Sequence, residues 1–459
     1  MNKPSIPKGT RDFGPVVMSR RNYILNTIRR GFERHGFAPV ETPAMENLST
    51  LTGKYGEEGD QLIFRILNNG DYLAKADVTA LTDRNSKGLT QSIAKKALRY
   101  DLTVPFARFV VMSRNDLSFP FRRYQIQTVW RGDRPGRGRY QEFTQCDADI
   151  IGTESLVSEF DLIQLFTEVL TELGIPGFQI VLNDRRILAG MAEKWGVSER
   201  LTDLTVAMDK FDKVGPNGVD DELAARGFSE DVRSGVQEVL RWPELATDDD
   251  RLAATADLLA DSDQGTQGVR DVEQLLAWCA GRSAEGHVVF DPTLARGLNY
   301  YTGAIFEVRV PDAPVGSICG GGRYADLTGI FGWPDVSGVG ISFGADRIYD
   351  VCEHFGLFPE GQEVAADVLV LRMDEAGTTQ DLQLVDDLRA AGFRTVLYPE
   401  LAKLKKQLKY ALDVNVPFVA FAGEEERAEG AITIKDMHAR EEVRVARTEA
   451  VADLKRRSS

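Results

Sequence analysis

Arginines dominate the residues whose types and spacing could do chemistry. Arg131 ends the β-like run "YQIQTVWRG", and Arg139 begins the next run after a seven-residue loop. Two arginines at the base of one hairpin can converge on an anion with bidentate hydrogen bonds. Phe143 and Gln145 occupy alternate positions after Arg139, which share one face of a strand. Ring stacking with phosphate pairing suits a nucleotide, although a solvated charged hairpin fits the same residue types.

Acidic and hydroxyl side chains offer a second kind of chemistry. In "RYDLTVPF", Asp101 and Thr103 lie on the same side of an extended segment, where a carboxylate and a hydroxyl could hold an ammonium group. Asp149, four residues after Gln145, adds a second carboxylate to the strand face that carries the arginine-rich site. The acidic residues therefore join the same candidate site.

Two further segments combine glycines with tyrosines. "LARGLNYYTGAIFE" places Arg296, Tyr300 and Tyr301 before an apolar strand, and "ICGGGRYADL" contains three successive glycines. Such a glycine run exposes the backbone and lets a ligand approach closely. "GVGISFG" at 338–344 lacks the glycine spacing of a dinucleotide-binding loop, so close packing of strands explains its glycines equally well.

Composition and charge exclude several classes of protein. The 459 residues are 43% hydrophobic and 27% charged, which indicates a globular chain of about three domains. The sequence contains no P-loop and no Cys/His cluster for zinc. It also has no long apolar run and no signal-peptide core, so we expect a cytoplasmic protein. The net charge of −15 argues against general DNA coating, while local basic clusters leave a nucleic-acid partner open.

Hydrophobic periodicity predicts the elements that position these residues. Residues 17–35 repeat apolar positions at helical spacing and predict an amphipathic helix. "GFAPVETPAME" (36–46) contains Pro43, which indicates an edge strand or a surface turn. Residues 61–66 and 71–74 predict a hairpin around an Asn-Asn-Gly turn. Strands are expected at 124–132 and 139–152, and a helix at 153–173.

The second half of the chain contains two segments that differ in composition and hydrophobic pattern. Residues 190–282 are rich in helix formers at helical spacing and predict a helical insertion into a sheet. Strands of that sheet are expected to resume at 287–290, 304–310 and 338–343. The last hundred residues alternate short apolar strands with helices, which is typical of a small α/β domain with both sheet faces covered. A basic cluster there could meet nucleic-acid phosphate or form a solvated helix face: Lys403, Lys405, Lys406 and Lys409.

Together these segments resemble the histidyl-tRNA synthetase family, which belongs to the class II aminoacyl-tRNA synthetases. "KGTRDFGP" resembles the family's opening segment, "GFAPVETPAME" class II motif 1, "VWRGDRPGRGRYQEF" (129–143) motif 2 and "GISFGADRI" (340–348) motif 3. "RGLNYYTG" (296–303) and "CGGGRY" (319–324) resemble motifs peculiar to the histidine enzymes. "RYDLTVPF" and "QCDAD" are similar to the eukaryotic and archaeal branch of the family. Asn299 stands where the family usually has Asp, which leaves the role of that position open.

The resemblance implies a fold and a domain order. The catalytic domain would be α+β, with an antiparallel class II sheet flanked by helices, and the C-terminal domain an α/β anticodon-binding domain. Motif 1 is a dimer-interface element in the family, which implies a homodimer. The implied ranges are 1–189 and 284–355 for the catalytic core, 190–283 for the helical insertion, 356–364 for the linker and 365–459 for the anticodon-binding domain.

The resemblance also implies which residues bind ATP. Arg131 would bind the α-phosphate and the substrate carboxylate. Arg296 would also reach the α-phosphate and is expected to contact histidine, so these two arginines would be the catalytic residues. Arg139 would bind the distal phosphates. Phe143 and Arg347 would sandwich the adenine. Mg²⁺ would accompany ATP without a protein ligand that we can assign.

Histidine and tRNA contacts follow from the same resemblance. Asp101, Thr103 and Gln145 would hold the α-ammonium of histidine. Asp149 and Tyr301 would hydrogen-bond the imidazole, and Tyr300 would line the pocket. Contacts with tRNA would come from Arg134 and Arg137 in the motif 2 loop and from the lysines of the C-terminal cluster.

The implied activity is the ligation of L-histidine to its cognate tRNA through histidyl-adenylate, with release of pyrophosphate. The main alternative is a non-catalytic regulatory paralogue of the histidine-biosynthesis pathway, which has the same core fold but lacks the anticodon-binding domain. A second alternative is a related synthetase for threonine, proline or glycine. The threonine enzyme would need a zinc site, which the sequence does not offer.

Overall fold

The computed structural model describes most of the chain and divides it into two compact units. The described residues are 3–54, 56–136, 138–295, 300–359 and 366–458. One unit comprises the residues up to Asp12 together with Arg21–Leu357, and the other comprises Phe13–Arg20 and the chain from Phe358 onward. Among the described residues, no helix is both long and apolar enough to cross a membrane.

An eight-stranded sheet forms the centre of the first unit. The strands of this unit are β1 (Ala38–Pro39), β2 (Met45–Asn47), β3 (Arg65–Ile66), β4 (Lys96–Leu98), β5 (Phe121–Trp130), β6 (Glu142–Ile151), β7 (Gln179–Asp184), β8 (Val288–Phe290), β9 (Tyr301–Arg309), β10 (Cys319–Tyr324) and β11 (Gly338–Gly344). The order across the large sheet is β1-β5-β6-β11-β10-β9-β7-β8, and β2-β4-β3 form a smaller sheet. Neighbouring strands of the large sheet are antiparallel except β1–β5 and β7–β8, which are parallel. The predicted antiparallel-rich sheet is confirmed.

Helices flank this sheet, as expected for an α+β fold. They are α1 (Pro15–Arg34), α2 (Leu48–Leu51), α3 (Gly56–Gln61), α4 (Val78–Thr82), α5 (Ser86–Ile93), α6 (Thr103–Ser113), α7 (Val157–Glu172), α8 (Arg185–Lys194), α9 (Leu201–Met208), α10 (Phe211–Ala225), α11 (Glu230–Val239), α12 (Asp248–Leu258), α13 (Asp263–Cys279) and α14 (Ala345–Phe355). Phe32 of α1 and Phe166 of α7 both meet Phe343 of β11 edge to face, with ring centroids 5.8 and 5.1 Å apart. These buried rings fix α1 and α7 against one face of the sheet.

Strand β6 separates the apolar core from the polar face of the sheet. Its even-numbered residues Cys146, Ala148 and Ile150 are at most 1% exposed and lie in the core. Because side chains alternate along a strand, Gln145, Asp147 and Asp149 share the opposite face. The sheet therefore presents a row of polar side chains on the side away from its aromatic core.

The helical region between β7 and β8 has close internal packing. A Cβ atom on Gly190 of α8 would lie 2.9 Å from the Cα of Gly265 of α13, so these two helices approach too closely for a larger residue. Thr247 and Asp250 form a capping box at the start of α12, which satisfies backbone N–H groups there. The limits 190–283 of the helical insertion stay a prediction. Helix α8 begins at Arg185, five residues before the lower limit.

The second unit is a five-stranded sheet with helices. Its elements are β12 (Val368–Val370), α15 (Thr378–Ala390), β13 (Thr395–Leu397), α16 (Leu404–Asp413), β14 (Phe418–Phe421), α17 (Glu424–Ala428), β15 (Ala431–Asp436), β16 (Glu442–Ala446) and α18 (Ala450–Arg457). The order is β13-β12-β14-β15-β16, with the first three strands parallel and the last two antiparallel to their neighbours. Val368 and Val370 pack into one apolar cluster and Leu369 into another, so both faces are covered. The predicted C-terminal α/β domain is confirmed.

Three local predictions are wrong. The segment of Asp101 and Thr103 is not extended, because α6 begins at Thr103. The hairpin of residues 61–66 with 71–74 does not form, because β3 pairs with β4 and residues 72–75 form turns. The Asn-Asn-Gly segment is held instead by Asn68, whose side chain bonds Ser92 and Lys95. The second strand also starts at Glu142 rather than at 139: Arg139 makes only an isolated bridge to Gly136 within the loop.

A histidine between two carboxylates links α1 to α7. Nδ1 of His35 lies 2.8 Å from Oδ1 of Asp161, and Nε2 lies 2.9 Å from Oε2 of Glu168. Arg122 also contacts the Asp161 carboxylate. The hydrogen bond that the imidazole donates to Asp161 raises the pKa of His35, partial burial opposes this, and Glu168 acts in the same direction as Asp161. The protonated imidazole is therefore favoured in the folded state.

We predict that His35→Gln destabilises the protein more at pH 6 than at pH 9. A histidine with a raised folded pKa contributes its full stabilisation below the unfolded value of about 6.5 and loses it as the pH rises through the folded value. The melting temperature of the variant should lie below that of the parent at pH 6, and this deficit should be about 1–3 °C larger at pH 6 than at pH 9. His438→Gln, at an exposed position of the second unit, is the control. An equal difference at both pH values would contradict the prediction.

Candidate active site

A cleft of about 520 Å³ opens over the polar face of the large sheet, between β6, β10 and β11. Its lining joins segments that are far apart in the chain, from the start of α6 to the start of α14. The residues that the sequence singled out and that line this cleft are Asp101, Thr103, Arg131, Arg139, Phe143, Gln145, Asp149, Tyr300, Tyr301 and Arg347. The structure thus brings the predicted arginines, aromatic residues and carboxylates into one place.

Other predicted residues lie elsewhere. Arg134 is on the loop after β5 and is not among the described residues that line the cleft. Arg296 and Arg137 fall outside the described residues, as does Asn299. The four predicted lysines are exposed at α16 of the second unit: Lys403, Lys405, Lys406 and Lys409. Lys406 pairs with Glu400 at 3.0 Å.

Arg131 is oriented by aromatic rings. Its Nε donates a hydrogen bond of 3.1 Å to the carbonyl of Tyr100. Its guanidinium carbon lies 4.4 Å from the ring centroid of Tyr100 and 5.2 Å from that of Phe143. The backbone hydrogen bond uses only Nε, which leaves the two terminal nitrogens for an anionic ligand. Arg131 is therefore placed to bind a phosphate or a carboxylate.

Arg347 also lines the cleft and is held by two backbone carbonyls. Its Nη1 donates to the carbonyl of Ser317 at 2.6 Å, and its Nε donates to the carbonyl of Gly138 at 3.3 Å. A fixed guanidinium plane can stack on a flat ring. Arg347 and the Phe143 ring line the same cleft, so both kinds of surface that an adenine base uses are present.

The residue before Arg347 forms an ion-pair network that the sequence did not reveal. Asp346 is 5% exposed, and its Oδ1 lies 2.5 Å from a guanidinium nitrogen of both Arg11 and Arg21. Its Oδ2 accepts from the backbone N–H of Thr144 at 3.2 Å. This carboxylate joins the N-terminal segment, α1 and β6 to the start of α14. The sequence contains one signal that could have indicated this network: Arg21 is a charged residue on the apolar face of the predicted helix.

Asp149 has two partners at the other end of the cleft. Nη2 of Arg123 lies 2.6 Å from its Oδ2, with both side chains at most 4% exposed. The Tyr324 hydroxyl donates to its Oδ1 at 2.8 Å. Burial raises the pKa of Asp149, while Arg123 and Tyr324 act in the opposite direction. The carboxylate is therefore fixed in orientation without any ligand.

Glycines provide the space around this carboxylate. A Cβ atom on Gly340 would lie 2.1 Å from Oδ1 of Asp149, and one on Gly322 would lie 2.8 Å from a ring carbon of Tyr301. Both distances are too short for any side chain. Gly322 is the last of the three successive glycines, so this run gives Tyr301 its place in the cleft wall.

Sequence reasoning missed three buried residues of this region. Asp147 lines the cleft between Gln145 and Asp149, and the two-residue period of the strand could have identified it. Tyr324 belongs to "CGGGRY", a segment that the sequence singles out by its glycines and its resemblance to a family motif and not by its tyrosine. Arg123 lies on β5, and nothing in "FRRYQIQ" distinguishes it from its neighbour Arg122.

Family models match both units of the chain. The model described as histidyl-tRNA synthetase matches residues 87–348, and the model described as anticodon binding domain matches residues 367–457. The first match alone covers more than half of the chain.

Relatives and solved structures extend the similarity over the full length. The chain is 51% identical to the histidine–tRNA ligase of Porphyromonas gingivalis, covering 95% of this chain and 96% of that protein. It is 48% identical to that of Bacteroides fragilis, covering 98% and 99%. The crystal structure of histidyl-tRNA synthetase from Nostoc sp. PCC 7120 superposes over 100% of both chains with a TM-score of 0.82 and 30% identity.

A more distant structure shares only the fold. It is described as an ATP phosphoribosyltransferase regulatory subunit/histidyl-tRNA synthetase from Bacillus halodurans, with a TM-score of 0.71, 19% identity and coverage of 92% and 99%. The family model and the full-length relatives carry the assignment. The chain belongs to the histidyl-tRNA synthetase family.

Proposed function

We propose that the cleft activates L-histidine with ATP and that the enzyme then transfers histidine to the terminal adenosine of its tRNA. The chain is a histidine–tRNA ligase, as its family and its full-length relatives indicate. One observation carries the proposal for the cleft: three arginines for an anionic nucleotide line the same cleft as the carboxylates for an amino acid.

The reaction needs positioning and charge stabilisation rather than a protein nucleophile. In the first step the histidine carboxylate attacks the α-phosphorus of ATP in line, the bond to the β-phosphate breaks, and pyrophosphate leaves. In the second step a ribose hydroxyl of the tRNA attacks the carbonyl of histidyl-adenylate, and AMP leaves. Holding two reactants in line and neutralising the developing charge on phosphate oxygens accounts for catalysis of this kind.

ATP is assigned to the arginine-rich end of the cleft. Arg131 would bind the α-phosphate and the histidine carboxylate with its two terminal nitrogens, because its bond to the carbonyl of Tyr100 uses only Nε. Arg139 would bind the distal phosphates. Phe143 and the held guanidinium of Arg347 would enclose the adenine. Arg296 would assist at the α-phosphate, an assignment that rests on the family motif alone.

Histidine is assigned to the acidic end. Asp101, Thr103 and Gln145 would hold the α-ammonium. Asp149, oriented by Arg123 and Tyr324, would accept from the imidazole together with Tyr301, and Tyr300 would line the pocket. The paired and buried carboxylate suits a substrate with an N–H donor, and an apolar side chain there would leave polar groups without partners.

Magnesium is treated as part of the nucleotide substrate. Within the described residues, no group of three or more His, Cys, Asp or Glu side chains is placed to hold a metal ion. We therefore propose that Mg²⁺ arrives with ATP and is bound chiefly through phosphate oxygens, as is usual for this ion.

A regulatory paralogue is not supported. The relatives from Porphyromonas gingivalis and Bacteroides fragilis are named histidine–tRNA ligases and match over nearly their whole length, and the anticodon-binding model matches residues 367–457. The structure of mixed description from Bacillus halodurans shares the fold at 19% identity and carries no argument about activity.

The second unit is assigned to tRNA binding. Its match to an anticodon-binding model and its exposed lysines support that assignment. The motif 2 loop, with Arg134 and Arg137, would meet the acceptor end. We retain the domain limits 1–189, 190–283, 284–355, 356–364 and 365–459, and a cytoplasmic location, as proposals.

A homodimer is proposed through the motif 1 region. Met45 of β2 is 53% exposed and Met112 of α6 is 75% exposed. Glu46 and Arg108, which are their near neighbours in the chain, form an ion pair of 2.6 Å between these two elements. An apolar surface on a rigid pair of elements suits a permanent interface.

We predict that Arg131→Ala lowers histidine-dependent ATP–pyrophosphate exchange by about 10²–10³, the usual effect of removing one charge-stabilising donor. Arg134→Ala is the matched control, since Arg134 lies on the neighbouring loop outside the cleft lining, and its exchange rate should stay near that of the parent. Near-normal exchange in Arg131→Ala would refute the assignment.

Replacing all four lysines at α16 by Glu should leave pyrophosphate exchange unchanged and raise the KM for tRNA. A plot of log affinity for tRNA against log salt concentration has a negative slope, and its magnitude should decrease by about 0.7–0.9 for each lost phosphate contact. The matched set of Lys→Gln replacements should give an intermediate effect. Unchanged tRNA charging and salt dependence in the Glu variant would show that these lysines form only a solvated helix face.

Sedimentation of the parent at micromolar concentration should give twice the mass of one chain. Met112→Glu should shift this equilibrium toward the monomer, because it places a charge in the proposed apolar interface. Leu412→Glu is the control: Leu412 is 61% exposed on α16 of the other unit. A monomeric parent would contradict the dimer.

A further inference from the structure

Asp147 lies at the centre of the polar row on β6. It is 3% exposed and lines the cleft between Gln145 and Asp149. Strand pairing places it opposite Ser342 on β11 and Gln125 on β5. The side chain is therefore fixed on the side of the sheet that faces the amino-acid end of the cleft.

Hydrogen bonding distinguishes Asp147 from Asp149. Both oxygens of Asp149 have partners, Arg123 and Tyr324. Oδ1 of Asp147, in contrast, has no hydrogen-bond partner among the described residues. Oε1 of Gln145 also has no hydrogen-bond partner among the described residues, although Nε2 of the same amide donates to Ser342. Buried acceptors without donors are rare, and a ligand can supply the missing donors.

The charges around Asp147 favour a cationic ligand. Two other carboxylates, Asp101 and Asp149, interact with it electrostatically, and Arg123 is the cation that acts on it. Since Arg123 already pairs with Asp149, this end of the cleft carries excess negative charge. An ammonium group has three N–H donors and one positive charge, which matches two free acceptors and an excess carboxylate.

We propose that Asp147 is a further substrate-binding residue: its Oδ1, together with Oε1 of Gln145, receives the α-ammonium of histidine. This inference rests on the proposed function and deepens it. Asp149 is left to the imidazole, and the two carboxylates of one strand then bind the two nitrogen-bearing ends of the same substrate.

A pH dependence follows from the environment of Asp147. Burial raises its pKa to about 7, Arg123 opposes this, Asp149 and Asp101 add to it, and a hydrogen bond from Ser342 opposes it. Near neutral pH the empty site therefore holds Asp147 partly protonated. A bound ammonium favours the ionised carboxylate, so histidine binding releases a proton, and the affinity weakens as the pH falls below about 7.

The first test is Asp147→Asn in the full-length enzyme. The change keeps the shape of the side chain and removes its charge, and the KM for histidine in pyrophosphate exchange should rise about 10- to 100-fold. The KM for ATP should not change. An unchanged KM for histidine, with normal exchange, would overturn this inference and leave the proposed function intact. Absence of histidine-dependent exchange in the parent enzyme would instead refute the proposed function.

Two analogues separate the ammonium from the imidazole. Histidinol keeps the amino group, and imidazolepropionate lacks it. Asp147→Asn should weaken inhibition by histidinol about 10- to 100-fold and leave inhibition by imidazolepropionate unchanged. Asp149→Asn, the matched control on the same strand, should weaken both. Equal weakening of both analogues by Asp147→Asn would place Asp147 at the imidazole and overturn the assignment.

Calorimetry on the parent keeps the inference testable if Asp147→Asn fails to fold. Titrations at pH 7 in two buffers of different ionisation enthalpy measure the protons released on binding. The imidazole of the free analogue is protonated to a different extent in the two compounds, because an ammonium group lowers the ring pKa and a carboxylate raises it. After each analogue's own free-ring protonation at pH 7 is subtracted, histidinol should release a larger fraction of a proton than imidazolepropionate. Equal corrected release by the two analogues would overturn the inference.

Discussion

The two-residue alternation of β6 is the constraint on which the rest of the structure depends. Its even positions bury Cys146, Ala148 and Ile150 in the core, and its odd positions carry the polar residues of the cleft. A register slip of one residue would place carboxylates in the core and apolar groups in the site. The ladders to β5 and β11 prevent this slip, because ten pairs on one side and seven on the other hold the strand. Core packing and the proposed substrate recognition are therefore specified by the same ten residues of sequence.

The cleft is polarised in charge along its length, and the proposed ligands have the complementary order. Arginines line the end assigned to ATP, while the opposite end has more carboxylates than cations. A buried carboxylate is costly unless it is paired, and Arg123 meets this requirement for Asp149. An amino acid that brings both a positive group and a carboxylate suits the junction of the two ends. Binding and chemistry thus use one arrangement of charges.

Sequence reasoning reached the site where local pattern carries the information, and failed where contacts are non-local. Arg131 and Arg139 flank one loop, and the two-residue period relates Gln145 to Asp149, so both pairs could be identified. The hairpin after residue 61 failed because the partner of β3 is β4, which begins thirty residues later. Asp346 could not be recognised as a centre either, because its partners Arg11 and Arg21 are more than 300 residues away.

The glycines beside Asp149 and Tyr301 have a consequence for redesigning substrate choice. Gly340 and Gly322 already contribute no side-chain atoms, so nothing can be trimmed beneath the proposed imidazole site to admit a bulkier histidine analogue. Additional volume must come from Tyr301 or Tyr300, whose ring centroids lie 4.8 Å apart. Engineering of this enzyme for unnatural histidines should therefore begin with libraries at the two tyrosines while the glycine-bearing strands are kept as an invariant scaffold.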